Sequence, residues 1–288
     1  MVMAVIDEKL VALRVATGAG LSSLTKRTVR ELAVPTSRSR IRLTDGTGQS
    51  ENLEARLPSL SLDNLKLGDT VFMVLPGDDN ASAPAMDVFG GIFGSEMLPV
   101  VDFDFDFAAN KINLFSQDHC VGNVVYWRAP AVAVVPMVLN DAGHIALRVE
   151  LDGRRVNAIL DTGASATFLN LDLARRTFHV DLNAPDVERA GEVTGGYSAS
   201  VYRRRFKTLA FDNVTIADPM ITMFPDMMTG MTSSAPRTGS LIREDRGLLP
   251  DIILGMDTLS QLHVYVASRE RKLYITAASP QPAALPSP

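Results

Sequence analysis

Residues 154–165 read Arg154-Arg155-Val156-Asn157-Ala158-Ile159-Leu160-Asp161-Thr162-Gly163-Ala164-Ser165. The run up to Leu160 has the pattern of a strand, and that strand ends directly on a carboxylate. Such a position is locally unfavourable, because a buried unpaired charge costs several kcal/mol unless hydrogen bonds or a proton compensate it. Asp161 therefore needs a reason to be there. Gly163 permits a tight turn that brings its N–H near the carboxylate, and Thr162 offers a hydroxyl that can tie this loop to another. The plainer alternative is a helix N-cap, with Ser165 or Asp161 capping a helix over Leu169–Arg176.

Working outward, Ile145–Leu151 alternates apolar and polar residues, and Asp152-Gly153 is a favoured two-residue hairpin turn. The spacing thus predicts a hairpin aimed at Asp161. Downstream, Thr194-Gly195-Gly196-Tyr197 reads as the tip of a second hairpin, and Thr208–Phe211 and Thr215–Phe224 read as strands around an Asp212-Asn213 turn. Ile252-Ile253-Leu254 is a short apolar strand ended by Gly255, before a brief helix from Met256 to Leu262 and a closing strand pair ending at Ile275.

The same pattern occurs earlier in the chain. Thr17-Gly18-Ala19 precedes Thr162-Gly163-Ala164 by 145 residues, and at the same offset Ile6–Val11 faces Leu151–Val156 and Leu24 faces Leu169. Thr47-Gly48 then matches Thr194-Gly195; Leu60, Asp63, Asn64, Asp69 and Pro76 match Leu209, Asp212, Asn213, Asp218 and Pro225; Gly94, Leu98 and Lys111 match Gly255, Leu259 and Lys272. The offset only grows along the chain, as it does when one domain is duplicated and gains insertions. Two all-β lobes are therefore expected: residues 1–118, a linker over 119–135, a second lobe over 136–278, and a proline-rich tail over 279–288.

A chain of 288 residues has the length for about two domains. With 46% hydrophobic and 21% charged residues it has the composition of an ordinary globular protein, which excludes wholesale disorder. The formal net charge of -5 is interspersed and leaves no basic stripe for a phosphate backbone, so nucleic acid is not an expected partner. Cys120 is the only cysteine, which excludes an intrachain disulfide and a zinc site built on several thiolates. The apolar stretch Ala129–Leu139 is interrupted by Pro130 and Pro136 and is too short to cross a bilayer. Asp7, Glu8 and Lys9 cut short the apolar run from Met1, so a signal peptide of the usual form is not visible.

DTGAS after an apolar strand, a hairpin carrying Thr194-Gly195-Gly196, and Ile253-Leu254-Gly255 about ninety residues further on together resemble one lobe of the retropepsin-like aspartic protease family. The first lobe resembles it too, in Ile92-Phe93-Gly94, Phe103–Phe107 and Asn110–Leu114, and the likeness to tandem-lobe bacterial aspartyl proteases covers nearly the whole chain except the tail. The resemblance implies an all-β fold of two acid-protease-like lobes around a pseudo-two-fold cleft, with few short helices. It implies Asp161 as catalytic, Thr162, Gly163, Ala164 and Ser165 as its supporting loop, and a polypeptide substrate or peptide ligand. It also implies flap tips at Thr194, Gly195, Gly196 and Tyr197 and at Thr47 and Gly48, with no metal and no cofactor. An exported, periplasmic location is implied if an upstream signal precedes this sequence, and a cytoplasmic one otherwise; Met1 aligns with Ala146, so an upstream piece is expected.

The first lobe departs from the family pattern where the chemistry lies. Its counterpart of DTGAS is Ala16-Thr17-Gly18-Ala19-Gly20, and a methyl group cannot activate water. Two readings follow: an aspartic endopeptidase that is weak, or that needs a homodimer pairing two Asp161 loops or another acid in place of Ala16, and a catalytically inactive peptide-binding module. The remaining candidates are weaker. His119, His144, His179 and His263 lack metal-ligand spacing and read as surface or satisfied core residues. Asp102, Asp104 and Asp106 share one face of a strand, read here as a solvated face. Gly18-Ala19-Gly20 lacks the third glycine and the βαβ context of a dinucleotide site.

Overall fold

The computed structural model describes residues 1–44, 49–63, 65–77, 89–194, 198–225 and 250–278. The first lobe comprises β1 (Val2–Ile6), β2 (Lys9–Val15), β3 (Ser23–Leu24), α1 (Lys26–Leu32), β4 (Thr36–Thr44), β5 (Ser50–Leu62), β6 (Leu65–Val74) and β7 (Gly91–Phe93). β8 (Asp102–Asp106) and β9 (Lys111–Phe115) follow. The second lobe runs through β10 (Ala133–Leu139), β11 (Ile145–Leu151), β12 (Arg154–Leu160), β13 (Phe168–Asn170), α2 (Leu171–Thr177), β14 (Glu188–Thr194) and β15 (Ser198–Arg205). It continues with β16 (Thr208–Phe211), β17 (Val214–Ala217), β18 (Met220–Phe224), β19 (Ile252–Leu254), α3 (Met256–Leu259), β20 (Leu262–Ala267) and β21 (Lys272–Ala277). The described residues are thus all-β, with short helices only.

The pairing of the first lobe recurs in the second. β1 and β2 form a hairpin closing at Ile6↔Lys9, and β11 and β12 form one closing at Leu151↔Arg154. Both turn residues of each hairpin have positive φ, 47° and 66° at Asp7 and Glu8 and 47° and 74° at Asp152 and Gly153. That is the turn whose twist matches the flanking strands. β2 then pairs in parallel with β7, and β12 with β19. Each of these short strands is next to a third, β3 or β13, which in turn pairs in parallel with β6 or β18. The alternation of the hairpin strands puts Leu13, Val15, Ala158 and Leu160 into a core that is continuous through both lobes.

α2 starts at Leu171 and is capped by the Asn170 side chain, which accepts from the Leu173 N–H at 2.9 Å. The N-cap role considered for Ser165 or Asp161 therefore falls to Asn170, because the chain first makes β13.

β8 and β9 lie within residues 1–118 but pair with the second lobe: β8 lies antiparallel to β20, with Phe105↔Val264 in register. The resulting sheet runs β10-β21-β20-β8-β9. β10 serves two neighbours, since Ala133–Pro136 pair with β21 and Met137–Leu139 pair with β11. Strand structure therefore begins at Ala133, inside the expected linker.

The solvated face expected for Asp102, Asp104 and Asp106 is corrected by the structure. Asp102 and Asp104 have no exposed surface, while Phe103 and Phe105 point to the opposite face and stack with ring centroids 5.7 Å apart. The reason is the cover supplied by the segment between β9 and β10. His119 Nε2 lies 2.7 Å from Asp102, His263 Nε2 lies 2.6 Å from Asp104, and Tyr126 and Asn113 donate to Asp104. Trp127 stacks on His263 with centroids 3.8 Å apart. Burial opposes ionisation of Asp104, but the hydrogen bonds from His263, Tyr126 and Asn113 outweigh it and hold its carboxyl below the usual range.

Candidate active site

Asp161 leaves β12 with its own N–H donating to the Leu254 carbonyl at 3.0 Å, and Ala16 leaves β2 with its N–H donating to Phe93 at 3.0 Å. The two loops therefore start from equivalent anchors. They meet at two threonines. Thr17 Oγ1 donates to the Leu160 carbonyl at 2.7 Å and accepts from the Thr162 N–H at 3.1 Å. Thr162 Oγ1 donates to the Val15 carbonyl at 2.9 Å and accepts from the Thr17 N–H at 3.2 Å. Four backbone polar groups are satisfied by two hydroxyls, one of them on the buried Thr17.

The carboxylate of Asp161 is bound across this junction. Its Oδ1 accepts from the Gly163 N–H at 2.7 Å and from the Gly18 N–H at 3.1 Å. Both glycines are needed for the approach. A Cβ on Gly18 would stand 2.2 Å from Asp161 Cγ, and one on Gly163 would stand 2.8 Å from Ala16 Cβ and 3.0 Å from Asp161 Oδ1. Ala16 and Asp161 thus face each other over Gly163, with the Ala16 methyl group buried at 6% exposure where the repeat places a second carboxylate.

Ala164 and Ser165 act through their carbonyls, which accept the N–H groups of Met256 and Asp257 at 2.8 and 3.2 Å. This ties the DTGAS loop to the start of α3. The Thr167 hydroxyl accepts from the Gly255 N–H at 3.1 Å and lies 2.6 Å from Asp257 Oδ1. In the first lobe Ser22 plays the same part, accepting from the Gly94 N–H at 2.9 Å.

The expected flap tips Gly195, Gly196, Tyr197, Thr47 and Gly48 lie outside the described residues. Their stems are described: β14 and β15 pair up to Thr194↔Ser198, and β4 and β5 pair up to Thr44↔Ser50.

One residue of the site escaped the sequence reading. His144 follows the tight turn Asn140–Gly143, whose Asn140 side chain accepts the His144 N–H at 2.9 Å. That turn packs on the first-lobe loop, since a Cβ on Gly20 would stand 2.6 Å from the Ala142 carbonyl oxygen. The half-buried ring of His144 lies near the Gly18 carbonyl and in the field of Asp161, both of which favour its charged form; burial nevertheless pushes its pKa below the usual histidine range. No spacing rule in the sequence links residue 144 to residues 18 and 161.

No helix among the described residues is long and apolar enough to cross a membrane.

Residues 147–258 match the family model of aspartyl proteases. No curated protein matches the chain by sequence. Among solved structures, Basic 7S globulin from soybean aligns over 96% of this chain and 90% of its own, at 8% identity and a TM-score of 0.51, which shows the two-lobed fold. A retropepsin-like aspartic protease from Rickettsia conorii aligns over 52% of this chain and 95% of its own, at 14% identity and a TM-score of 0.36. The family match and the fold support a protease-type function. The part of the chain that is similar to the aspartyl protease family is thus the lobe that carries Asp161.

Proposed function

We propose that this protein is an aspartic-type endopeptidase of reduced power, in which Asp161 alone activates water against a peptide bond held between the lobes. The observation that carries this reading is the hydrogen bonding of the Asp161 carboxylate. Among the described residues both N–H donors, one from each lobe, fall on Oδ1, so Oδ2 is the oxygen left to take a proton from water. The water oxygen then bonds to the scissile carbonyl carbon, the C–N bond breaks, and the amine leaves with a proton. A second carboxyl group would polarise the carbonyl by donating a hydrogen bond, and Ala16 cannot. Losing one member of an acid–base pair costs about 10²- to 10⁴-fold in rate.

The interlocked threonines support a site built within one chain. Pairing the Asp161 loops of two copies would require breaking all four Thr17 and Thr162 hydrogen bonds. The buried Ala16 methyl also favours a second reading, a binding module that holds an extended peptide without cutting it.

The test is to incubate the purified protein with an unstructured polypeptide across acidic to neutral pH and to compare Asp161→Asn. Slow cleavage abolished by Asp161→Asn supports the endopeptidase. Peptide binding without cleavage supports the module, and cleavage unaffected by Asp161→Asn removes Asp161 from the chemistry.

A further inference from the structure

Residues 116–132 cross from β9 to β10 without forming a strand or a helix. They lie as a strap over β8, β20 and β21, and their hold is mostly polar. Val124 is the only buried residue among them, and it packs in a small cluster with Tyr265, Ala267 and Tyr274 that is separate from the main core. The rest of the attachment runs through His119, Gly122, Tyr126 and Trp127, whose indole N–H donates to Thr276 on β21 at 3.0 Å.

His119 is the centre of this attachment. Its Nε2 lies 2.7 Å from Asp102 Oδ2 on β8. Its Nδ1 lies 3.7 Å from Glu270 Oε1, in the turn between β20 and β21, and 3.5 Å from the Cys120 carbonyl oxygen. The two carboxylates are 0% and 3% exposed, against 19% for the ring. Both are fixed by other donors. The Ser268 N–H donates to Asp102 at 3.1 Å, and the Gly122 N–H and the Tyr274 hydroxyl donate to Glu270 at 2.9 and 2.6 Å. Around them stand Tyr265, edge-on to the His119 ring, and Lys272, 3.8 Å from Glu270, while Arg269 pairs with the neighbouring Asp118 at 3.6 Å.

Both ring nitrogens of His119 thus face acceptors. A neutral imidazole has one N–H. With that proton on Nε2, the Nδ1 lone pair is turned on Glu270 and the Cys120 carbonyl; with it on Nδ1, the Nε2 lone pair meets Asp102. Only the imidazolium suits both sides, where it joins two buried carboxylates from different elements. Burial opposes its charge, but the hydrogen bond to Asp102 and the fields of Asp102 and Glu270 prevail and raise its pKa above the usual histidine range.

We propose that residues 116–127 form a pH-operated clasp on β8 and the β20–β21 turn, closed while His119 carries its proton and released when that proton passes to water. The open strap gives His119 its ordinary proton affinity. The opening equilibrium therefore rises by up to about tenfold per pH unit between the ordinary histidine range and the higher pKa of the closed form. Release uncovers Asp102 and Asp104 but leaves the sheet in place, because Phe103, Phe105, Val264 and Val266 stay in the main core. None of these residues belongs to the Asp161 site, so the inference stands apart from catalysis.

The Gly122 and Asn123 amides report on the clasp, since they donate to Glu270 and to the Cys120 carbonyl. Amide exchange of the whole protein is followed from mildly acidic to mildly alkaline pH, with the His119 ring titrated by NMR in parallel. The protection factors of Gly122 and Asn123 are expected to fall by up to about tenfold per pH unit, while those of β20 stay constant. In His119→Gln they are expected to be low and independent of pH. Glu270→Gln keeps an acceptor for Gly122 but removes one anion, and is expected to move the fall to lower pH. The wild-type titration and Glu270→Gln decide the matter if His119→Gln does not fold. The proposal is overturned if protection at Gly122 and Asn123 does not fall with pH, if β20 loses protection in step, or if the fall persists in a folded His119→Gln. A His119 ring that titrates at or below the ordinary histidine range overturns it as well.

Discussion

Ala16→Asp places a carboxylate opposite Asp161, at a position now filled by a buried methyl group. Ala16 Cβ and Asp161 Oδ1 lie 2.8 and 3.0 Å from the point where a Gly163 Cβ would stand. The new carboxylate therefore comes within about 4 to 5 Å of the old one, where two unit charges repel by about 3 to 4 kcal/mol at an effective dielectric constant near 20. At about 1.4 kcal/mol for each tenfold change in proton affinity, that repulsion forces the two groups to share one proton over a wide pH range. The protonated group then donates to the substrate carbonyl while the ionised one takes a proton from water, as in the dyad of active aspartic proteases. The expected gain in kcat/KM on a quenched fluorescent peptide is about 10²- to 10⁴-fold, with a bell-shaped pH profile that the wild type lacks. The variant is also expected to be less stable than the wild type at neutral pH, where both carboxylates ionise, and closer to it in acid. A variant that folds normally yet gains no activity, or keeps the wild-type pH profile, would refute the assignment of residues 16 and 161 as partners.

Thr17→Val keeps the shape of the loop but leaves the Leu160 carbonyl and the Thr162 N–H without the partner each now has, at a cost of about 2 to 4 kcal/mol; denaturant unfolding checks this, and a change under about 0.5 kcal/mol would contradict it. Gly18→Ala drives a methyl group into Asp161 and is expected to destabilise by about 1 to 3 kcal/mol, whereas Gly68→Ala, with nothing within 4 Å, is expected to be neutral or slightly stabilising. The two histidines should oppose each other in the pH dependence of stability. Burial alone would lower the His119 pKa, but the hydrogen bond to Asp102 raises it overall; its contribution is full below the unfolded-state pKa and is lost as pH rises through the folded one, so His119→Gln should remove stability chiefly in acid. His144 is held below its ordinary range by burial, so the unfolded chain takes up a proton first as pH falls, and His144→Gln should lessen the loss of stability between that range and the lower folded pKa. Melting curves of both variants from mildly acidic to neutral pH test the two signs.

Much of the fold was legible because its signals are local. Asp152-Gly153 marks a hairpin by the positive φ it tolerates, Ile252–Leu254 marks a buried strand by its continuous apolar run, and the repeat carries both patterns into the first lobe. Asp161 stood out because a carboxylate at the end of an apolar strand demands compensation, and Ala16 stood out because the repeat aligns it with Asp161. What depended on packing was hidden. The period of two placed Asp102 and Asp104 on one face of β8, but nothing within that strand says that His119, Tyr126 and Trp127 will cover the face and bury both carboxylates. His144 lies near Gly18 and Asp161 because a four-residue turn from one lobe packs on a loop of the other, and β8 pairs with β20, so that a strand from the first half joins a sheet of the second. Backbone turns and hydrophobic periods are written in neighbouring residues. Which charge is buried is decided by segments that are not neighbours in the chain, Tyr126 and His263 around Asp104 among them, whose meeting only the tertiary structure shows.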